Sequence, residues 1–204
     1  MPMKRLLIAT HNRDKAAEFR SLLSGLEVEV LTLDSFPHIG SIAETGETLE
    51  ENSALKARAV FEATHLPSLA DDTGLEVYYL ALAPGVWSSR YAGEGATYAE
   101  NVAKLLREMK GVPARRRAAR FRCVLTFVAS GHPPASTEGM CKGAILEEPR
   151  GIHGFGYDPL FLPLAGDRTF AELDPASKNA LSHRGEAMRR MLPILREYFT
   201  VTGS

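Results

Sequence analysis

The chain has 204 residues, 45% of them hydrophobic and 24% charged, with a formal net charge of -1. These proportions are ordinary for a soluble globular protein, and no apolar stretch approaches the roughly 20 residues that a membrane helix needs. The near-zero charge excludes a strongly basic surface, so an anionic ligand must be held by a local cluster.

The length predicts a single domain over 1–204. At the start, "MPMKRLLIATHNRDK" has an apolar core of only Leu6 to Ala9 before charge resumes, which fails as a secretion signal and predicts a cytoplasmic protein. Cys123 and Cys141 form no C-x-x-C pattern and read as buried or idle thiols.

In chain order, "RLLIAT" predicts a strand, and "RDKAAEFRSLLSG" a helix with Ala16, Phe19, Leu22 and Leu23 at helical spacing, stopped by Gly25. "LEVEVLTL" alternates as a half-buried strand does, and "DSFPHIGSIAETG" is rich in loop residues. Along "ETLEENSALKARAVFEATH" a helix starts near Glu47. Leu49, Leu55, Ala59 and Phe61 are expected inside, with Glu47, Glu50, Glu51 and Lys56 pointing elsewhere. "LPSLADD" predicts a brief strand, "ATYAENVAKLLREMKG" a helix closed by Gly111, and "AARFRCVLTFVAS" a strand pairing with "EGMCKGAILEE" across "GHPP". The closing "SHRGEAMRRMLPILREYF" places Met188, Leu192, Leu195 and Phe199 on one helical face, with a kink expected at Pro193. Interleaved strands and helices with one antiparallel pair predict a mixed-sheet α/β fold.

Five clusters carry candidate chemistry. In "ATHNRDK" a strand meets a helix N-terminus, where free backbone N–H groups, the helix dipole and Lys15 favour an anion, with Thr10 and Asn12 adding polar contacts. The plain alternative is that Thr10 or Asn12 caps the helix and Lys15 is solvated. The glycines of a Walker loop are missing. In "LADDTGLEV" two aspartates stand together with no basic residue nearby in sequence, and adjacent strand positions send them to opposite faces. With Glu44, one of them would suit a magnesium ion that completes its shell with water and substrate phosphates; a loop of solvated acids is the alternative. "GFGYDP" describes a tight loop that offers aromatic rings to a planar base or folds them into the core. "SKNALSHRG" gathers Lys178, His183 and Arg184 near a helix start with Ser182 as N-cap, against the reading of a solvated basic turn. Arg115, Arg116, Arg117, Arg120 and Arg122, with Phe121, read as a solvated face rather than a nucleic-acid patch.

Taken in order, "ATHNRDK", "ETGETLEENSALKA", "LADDTGL", "APGVWSSRYAG", "GFGYDPLF" and "KNALSHRG" resemble the inosine triphosphate pyrophosphatase family, which acts on deaminated purine nucleoside triphosphates, and the resemblance runs nearly end to end. It implies a long mixed sheet flanked by helices, two lobes with a central substrate cleft, a cytosolic homodimer, and magnesium-dependent hydrolysis of ITP, dITP or XTP to the monophosphate and pyrophosphate. A broader pyrophosphatase acting on modified or pyrimidine nucleotides is the alternative. No nucleic acid and no membrane is expected as a partner. The resemblance implies that Thr10, His11, Asn12, Arg13, Asp14 and Lys15 contact the triphosphate and that Glu44 and Asp72 serve the metal. Asp72 is further implied as the catalytic carboxylate, with Thr73 touching substrate. Phe155, Gly156, Tyr157, Asp158, Lys178, His183 and Arg184 are implied to form the nucleoside pocket. With an ordinary carboxylate pKa of about 3.9, Asp72 would be ionised without special tuning. The sequence departs from the family at His11, Thr73 and Trp87, and "YLALAPG" lacks a glycine pair often found there.

Overall fold

The computed structural model describes residues 3–201. The elements are β1 (Arg5–Ile8), α1 (Arg13–Leu22), β2 (Glu29–Thr32), α2 (Leu49–Thr64), β3 (Ser68–Val77), β4 (Pro84–Gly85), α3 (Tyr98–Glu108), β5 (Ala118–Ala129), β6 (His132–Ile145), β7 (Phe161–Pro163), α4 (Pro175–Leu181) and α5 (His183–Val201). Strands pair in the order β2-β1-β3-β5-β6-β7, with β4 on β3. β1 is parallel to β2 and β3, whereas β4 is antiparallel to β3 and β7 to β6. The expected mixed-sheet α/β class is therefore observed. None of the described helices is long and apolar enough to cross a membrane.

The chain divides into two compact units. The first comprises Met1–Asp72, Cys123–Gly139 and Arg184–Ser204, and the second Thr73–Arg122 and Met140–His183. Strands β3, β5 and β6 contribute residues to both.

In the first unit, side-chain alternation along the strands separates two cores. Leu6, Ile8, Leu69, Leu125 and Phe127 pack with Phe19 and Leu23 of the α1 segment and with Ala187, Met188, Met191, Leu195 and Phe199 of α5. Leu7, Ala9, Ala70 and Val128 point the other way, onto Ala57 and Val60 of α2. Successive strand residues face opposite sides, so the run "LLI" serves both cores and reads as continuously apolar, as expected for a strand covered on two faces. Helix α5 runs through Pro193 without interruption. Its buried stripe holds the expected Met188, Leu195 and Phe199, while Ala187 and Met191 are also buried and Leu192 only partly.

In the second unit, Leu75 and Val77 of β3, Leu105 and Met109 of α3, Phe121, Ile145, Phe161 and Phe170 form one core. Helix α3 opens with a reciprocal cap in which Glu100 N donates to Thr97 Oγ1 and Thr97 N to Glu100 Oε2. Both cysteines are buried thiols outside any disulfide.

Several sequence expectations need correction. β3 continues through "DDTGLEV", so the aspartates lie inside a strand rather than at its end. The turn between β5 and β6 is Ser130–Gly131, with Gly131 at φ 71°, and "HPP" already belongs to β6. The buried face of α2 is Leu49, Asn52, Ser53, Lys56, Ala57 and Val60, whereas Leu55 is exposed. The arginine run is not one solvated face. Arg117 is buried and donates to the carbonyls of Ile145, Met109 and Leu146 at 2.6, 2.8 and 2.7 Å, and Arg120 and Arg122 both pair with Glu76. Phe121 is buried, which removes the stacking group of a nucleic-acid patch.

Candidate functional site

The alternation that divides the first core also divides the two aspartates. Asp71 shares the face of Leu69, toward α1 and α5, and Asp72 shares that of Ala70, toward α2. Each meets cations supplied from far along the chain, so the charge that looked uncompensated in sequence is largely balanced by the fold.

Asp71 is sealed from water and accepts from Lys15 Nζ, with its Oδ2 3.0 Å from that ammonium and 3.0 Å from Arg184 Nη2. Arg184, in the first turn of α5, also pairs with Glu18 of α1. Burial alone would push the Asp71 carboxyl up, but Lys15, Arg184 and Lys56 outweigh it and hold the group well below the carboxylate range. Burial likewise works against the Arg184 charge, and Glu18 and Asp71 overcome it, holding the guanidinium firmly protonated.

Asp72 belongs to a second cluster. Lys56 Nζ donates to Glu44 Oε1 at 2.6 Å and to Asp72 Oδ1 at 2.8 Å. It is buried on the inner face of α2, where the carboxylates of Asp72, Asp71 and Glu44 overcome the desolvation that opposes its charge and raise its pKa. The helix is fixed at its start by a capping box, with Glu51 N donating to Thr48 Oγ1 and Thr48 N to Glu51 Oε2. Asn52, one turn before Lys56, accepts from Gly46 N at 2.8 Å, which ties down the loop that carries Glu44. Gly46 has no room for a side chain, since a Cβ there would lie 2.6 Å from Glu51 Cβ.

Asp72 is not the ordinary carboxylate that the sequence suggests. Burial pushes its pKa up, against the pull of Lys56 and Lys15, and Glu44 adds to the rise. Its Oδ2 is buried and has no hydrogen-bond partner, and such an orphaned acceptor in a folded interior calls for an explanation.

At the start of α1, Asn12 is the N-cap. Asp14 N and Lys15 N donate to its Oδ1 at 2.9 and 3.1 Å, so two of the N–H groups expected to be free are already taken. Thr10 is buried and accepts from Asn12 N. His11 is exposed with Nε2 3.3 Å from Gly40 O, and Arg13 and Asp14 are exposed in the first turn.

The remaining candidates lie in the second unit. Asp158 and Lys178 form a buried pair at 2.5 Å, and Phe155 N donates to Asp158 Oδ2 at 2.8 Å. The Lys178 ammonium stands 4.6 Å from the centre of the half-buried Phe155 ring. Gly154 at φ 69° and Gly156 at φ 61° supply the left-handed backbone of this loop. A Cβ on Gly154 would fall 2.1 Å from Asp158 Oδ2. Tyr157 is a core residue whose hydroxyl donates to Ser88 O at 2.9 Å. His183 is buried with its ring stacked on Phe121, centroids 4.6 Å apart. Ser182 caps the end of α4 directly before α5. Thr73 is half-buried on β3.

The structure thus joins Lys15, Asp71, Arg184 and Glu18 in one cluster, Glu44, Lys56 and Asp72 in another, and Phe155, Asp158 and Lys178 in a third. Sequence reasoning missed Lys56, Glu18 and the pairing role of Asp71. For Lys56 the signal was the spacing of Asn52, Ser53, Lys56, Ala57 and Val60, a helical stripe in which small and polar residues stand among the apolar ones.

Glu44 and Asp72 are two oxygen donors brought together around a cation, and the orphaned Asp72 Oδ2 suits a hard divalent ion. Among the described residues there is no group of three or more His, Cys, Asp or Glu able to hold a metal. The remaining positions of any ion held here would therefore fall to other ligands.

Comparison with known proteins identifies the family. Residues 6–194 match the Ham1 family model. A dITP/XTP pyrophosphatase of Geobacillus kaustophilus is 49% identical over 190 residues, 93% of each chain. One of Coxiella burnetii is 43% identical over 201 residues, 98% of this chain and 100% of the other. The solved structure of a HAM1 protein from Coxiella burnetii superposes with a TM-score of 0.85 at 43% identity, covering 96% of this chain and all of that one. With a family match over most of its length, relatives at 43% and 49% identity and the same fold, the chain belongs to the Ham1 family.

Proposed function

We propose that the protein hydrolyses deaminated purine nucleoside triphosphates (ITP, dITP and XTP) to the nucleoside monophosphate and pyrophosphate, removing non-standard purines from the nucleotide pool. The observation that carries this reading is the buried Asp72 carboxylate. One of its oxygens is fixed by Lys56 beside Glu44, and the other is left without a partner. Relatives bearing the name dITP/XTP pyrophosphatase, at 43% identity and above, support it.

In this reading Glu44 and Asp72 hold magnesium. When bound, the ion neutralises phosphate charge and polarises a water molecule. Asp72 accepts the proton of the water that attacks the α-phosphorus, its Oδ2 being left without a partner in the protein alone. Lys56 fixes the direction of the Asp72 carboxylate and keeps positive charge beside it. The segment Thr10 to Lys15 meets the triphosphate, with positive charge stabilising the departing pyrophosphate, and Thr73 touches substrate. The nucleoside falls to Phe155, Gly156, Tyr157, Asp158, Lys178, His183 and Arg184, with Phe155 as the stacking face. Hypoxanthine and xanthine present an acceptor oxygen at C6 where adenine presents a donor amine. A buried donor left facing that amine strongly penalises the wrong base. We place the enzyme in the cytoplasm as a homodimer, in keeping with the family resemblance.

The test is pyrophosphate release from ITP, XTP, dITP, ATP, GTP and dUTP, with and without magnesium. The expected result is a kcat/KM for ITP and XTP at least ~100-fold above that for ATP, the scale set by a mispaired buried donor, poor hydrolysis of GTP, whose C6 oxygen is shared and whose C2 amine must be refused instead, and loss of turnover on chelation. Comparable values for all purines would overturn the specificity, and preference for dUTP would favour the broader pyrophosphatase.

A further inference from the structure

A chain of hydroxyl groups runs from Ser136 through Thr126 to Ser53 on the inner face of α2. Ser53 Oγ lies 3.0 Å from Thr126 Oγ1 and 3.2 Å from Ala70 O, and Thr126 Oγ1 lies 3.0 Å from Ser136 Oγ. Ser53 and Thr126 are buried, and Ser136 is exposed.

A hydroxyl carries a single proton and two lone pairs, so each of these groups can donate once and accept as well. Ser53 Oγ has two acceptors within reach, Thr126 Oγ1 and Ala70 O, and between Thr126 and Ser136 either hydroxyl can donate. Every buried hydroxyl in the chain has a partner, and each bond polarises the next.

The end of the chain is what matters for the site. Ala70 directly precedes the two aspartates, and its side chain points to the same face as that of Asp72. Ser53 and Lys56 are three apart on α2, hence neighbours on one helix face. One hydroxyl therefore pins α2 to β3 two residues before Asp72 and one helical turn before Lys56. Between α2 and β3 the neighbouring contacts of Ala57 and Val60 are apolar and permit sliding, whereas a hydrogen bond does not tolerate it.

We propose that Ser53, with Thr126 and Ser136 behind it, is a positioning residue that sets Lys56 against Asp72. This rests on the reading of Asp72 as the catalytic carboxylate of a nucleotide pyrophosphatase.

The test compares Ser53→Ala, Thr126→Val and Thr126→Ser with wild type. Thr126→Val keeps the shape and removes the hydroxyl, and Thr126→Ser keeps the hydroxyl and removes the methyl. The expected result is a fall in kcat for ITP of about tenfold in Ser53→Ala and Thr126→Val, with KM within about twofold of wild type and the proteins folded at the assay temperature by thermal unfolding. Thr126→Ser is expected to stay within about twofold of wild-type kcat. The same loss in Thr126→Ser as in Thr126→Val would overturn the proposal, as would a kcat loss no larger than the unfolded fraction. Crystal structures of wild type and Ser53→Ala add a readout independent of turnover. Lengthening of the Lys56 to Asp72 contact beyond hydrogen-bond distance supports the positioning role even if wild type releases no pyrophosphate from any nucleotide, which would defeat only the functional reading. An unchanged contact overturns the positioning role whatever the activity.

Discussion

Arg184 Nη2 lies 3.0 Å from Asp71 Oδ2, with side chains only 2% and 1% exposed. The pair ties the first turn of α5 to the middle of β3, and Glu18 and Lys15 extend it to α1. Removing one partner of a buried pair leaves a charge without compensation, at a cost of about 3–5 kcal/mol. Asp71→Ala is therefore expected to lose about that much unfolding free energy in urea titration. Because an apolar replacement of both partners is often close to neutral, Asp71→Leu combined with Arg184→Met should recover part of the loss. A loss below about 1 kcal/mol for Asp71→Ala, the scale of an exposed pair, would show that water screens the network.

The two aspartates give opposite pH dependences. Asp71 has its folded-state pKa depressed by Lys15, Arg184 and Lys56 in spite of burial. The stability it contributes is present above the unfolded carboxylate value of about 3.9 and is lost as pH falls below that toward the folded value. Asp72 has its pKa raised, chiefly by burial. It favours the fold below about pH 3.9, and this contribution is lost as pH rises through its folded value. In metal-free protein, unfolding free energy measured from pH 3 to 7 should fall less steeply on acidification in Asp71→Asn than in wild type, and more steeply in Asp72→Asn. Equal slopes for the two variants would contradict the assignment of their environments.

Lys56 supplies the positive charge between Glu44 and Asp72 in the protein alone. Lys56→Met is expected to lower kcat/KM for ITP at least ~100-fold, the scale of losing one preorganised charged donor. It should also leave two acids facing each other that a divalent ion can neutralise. Magnesium should therefore raise the melting temperature of Lys56→Met by more than that of wild type. Calorimetry with and without chelator measures this, and an equal shift in both proteins would mean that Lys56 does not share the carboxylates with the ion.

The segment where the sequence departs from its family carries backbone strain. Ala81 and Leu82 stand at φ 52° and 72°, the left-handed region that suits glycine and costs other residues about 1–2 kcal/mol. Leu82 is also 40% exposed, so it contributes little packing. Leu82→Gly should stabilise the protein by about 0.5–1 kcal/mol, the relief of strain less the added freedom of the unfolded chain, with turnover unchanged. Denaturant midpoints of the two proteins decide it, and a destabilised variant would mean that Leu82 makes contacts that outweigh the strain.

Features legible in sequence were those that depend on near neighbours. The apolar run of β1, the periodic α1 and α5, the acidic start of α2 and the closure after α3 each follow from residues a few positions apart. The opposite facing of Asp71 and Asp72 also needed only the strand period. Errors arose where partners are distant. By local pattern Lys56 points outward, because a charged side chain on a helix usually faces water, and the carboxylates of Glu44 and Asp72 make its burial favourable. The arginines from 115 to 122 read as one solvated run, yet Glu76 and four backbone carbonyls draw several of them inward.

By itself, then, the sequence determined the α/β class, the order of its motifs and the identity of the acidic residues, because hydrophobic period and turn chemistry are local properties. Tertiary structure alone decided which charges meet. Asp71 finds Arg184 across 113 positions and Asp72 finds Lys56 across 16. The free energy of a buried charge depends on the groups packed around it, and no local pattern encodes those.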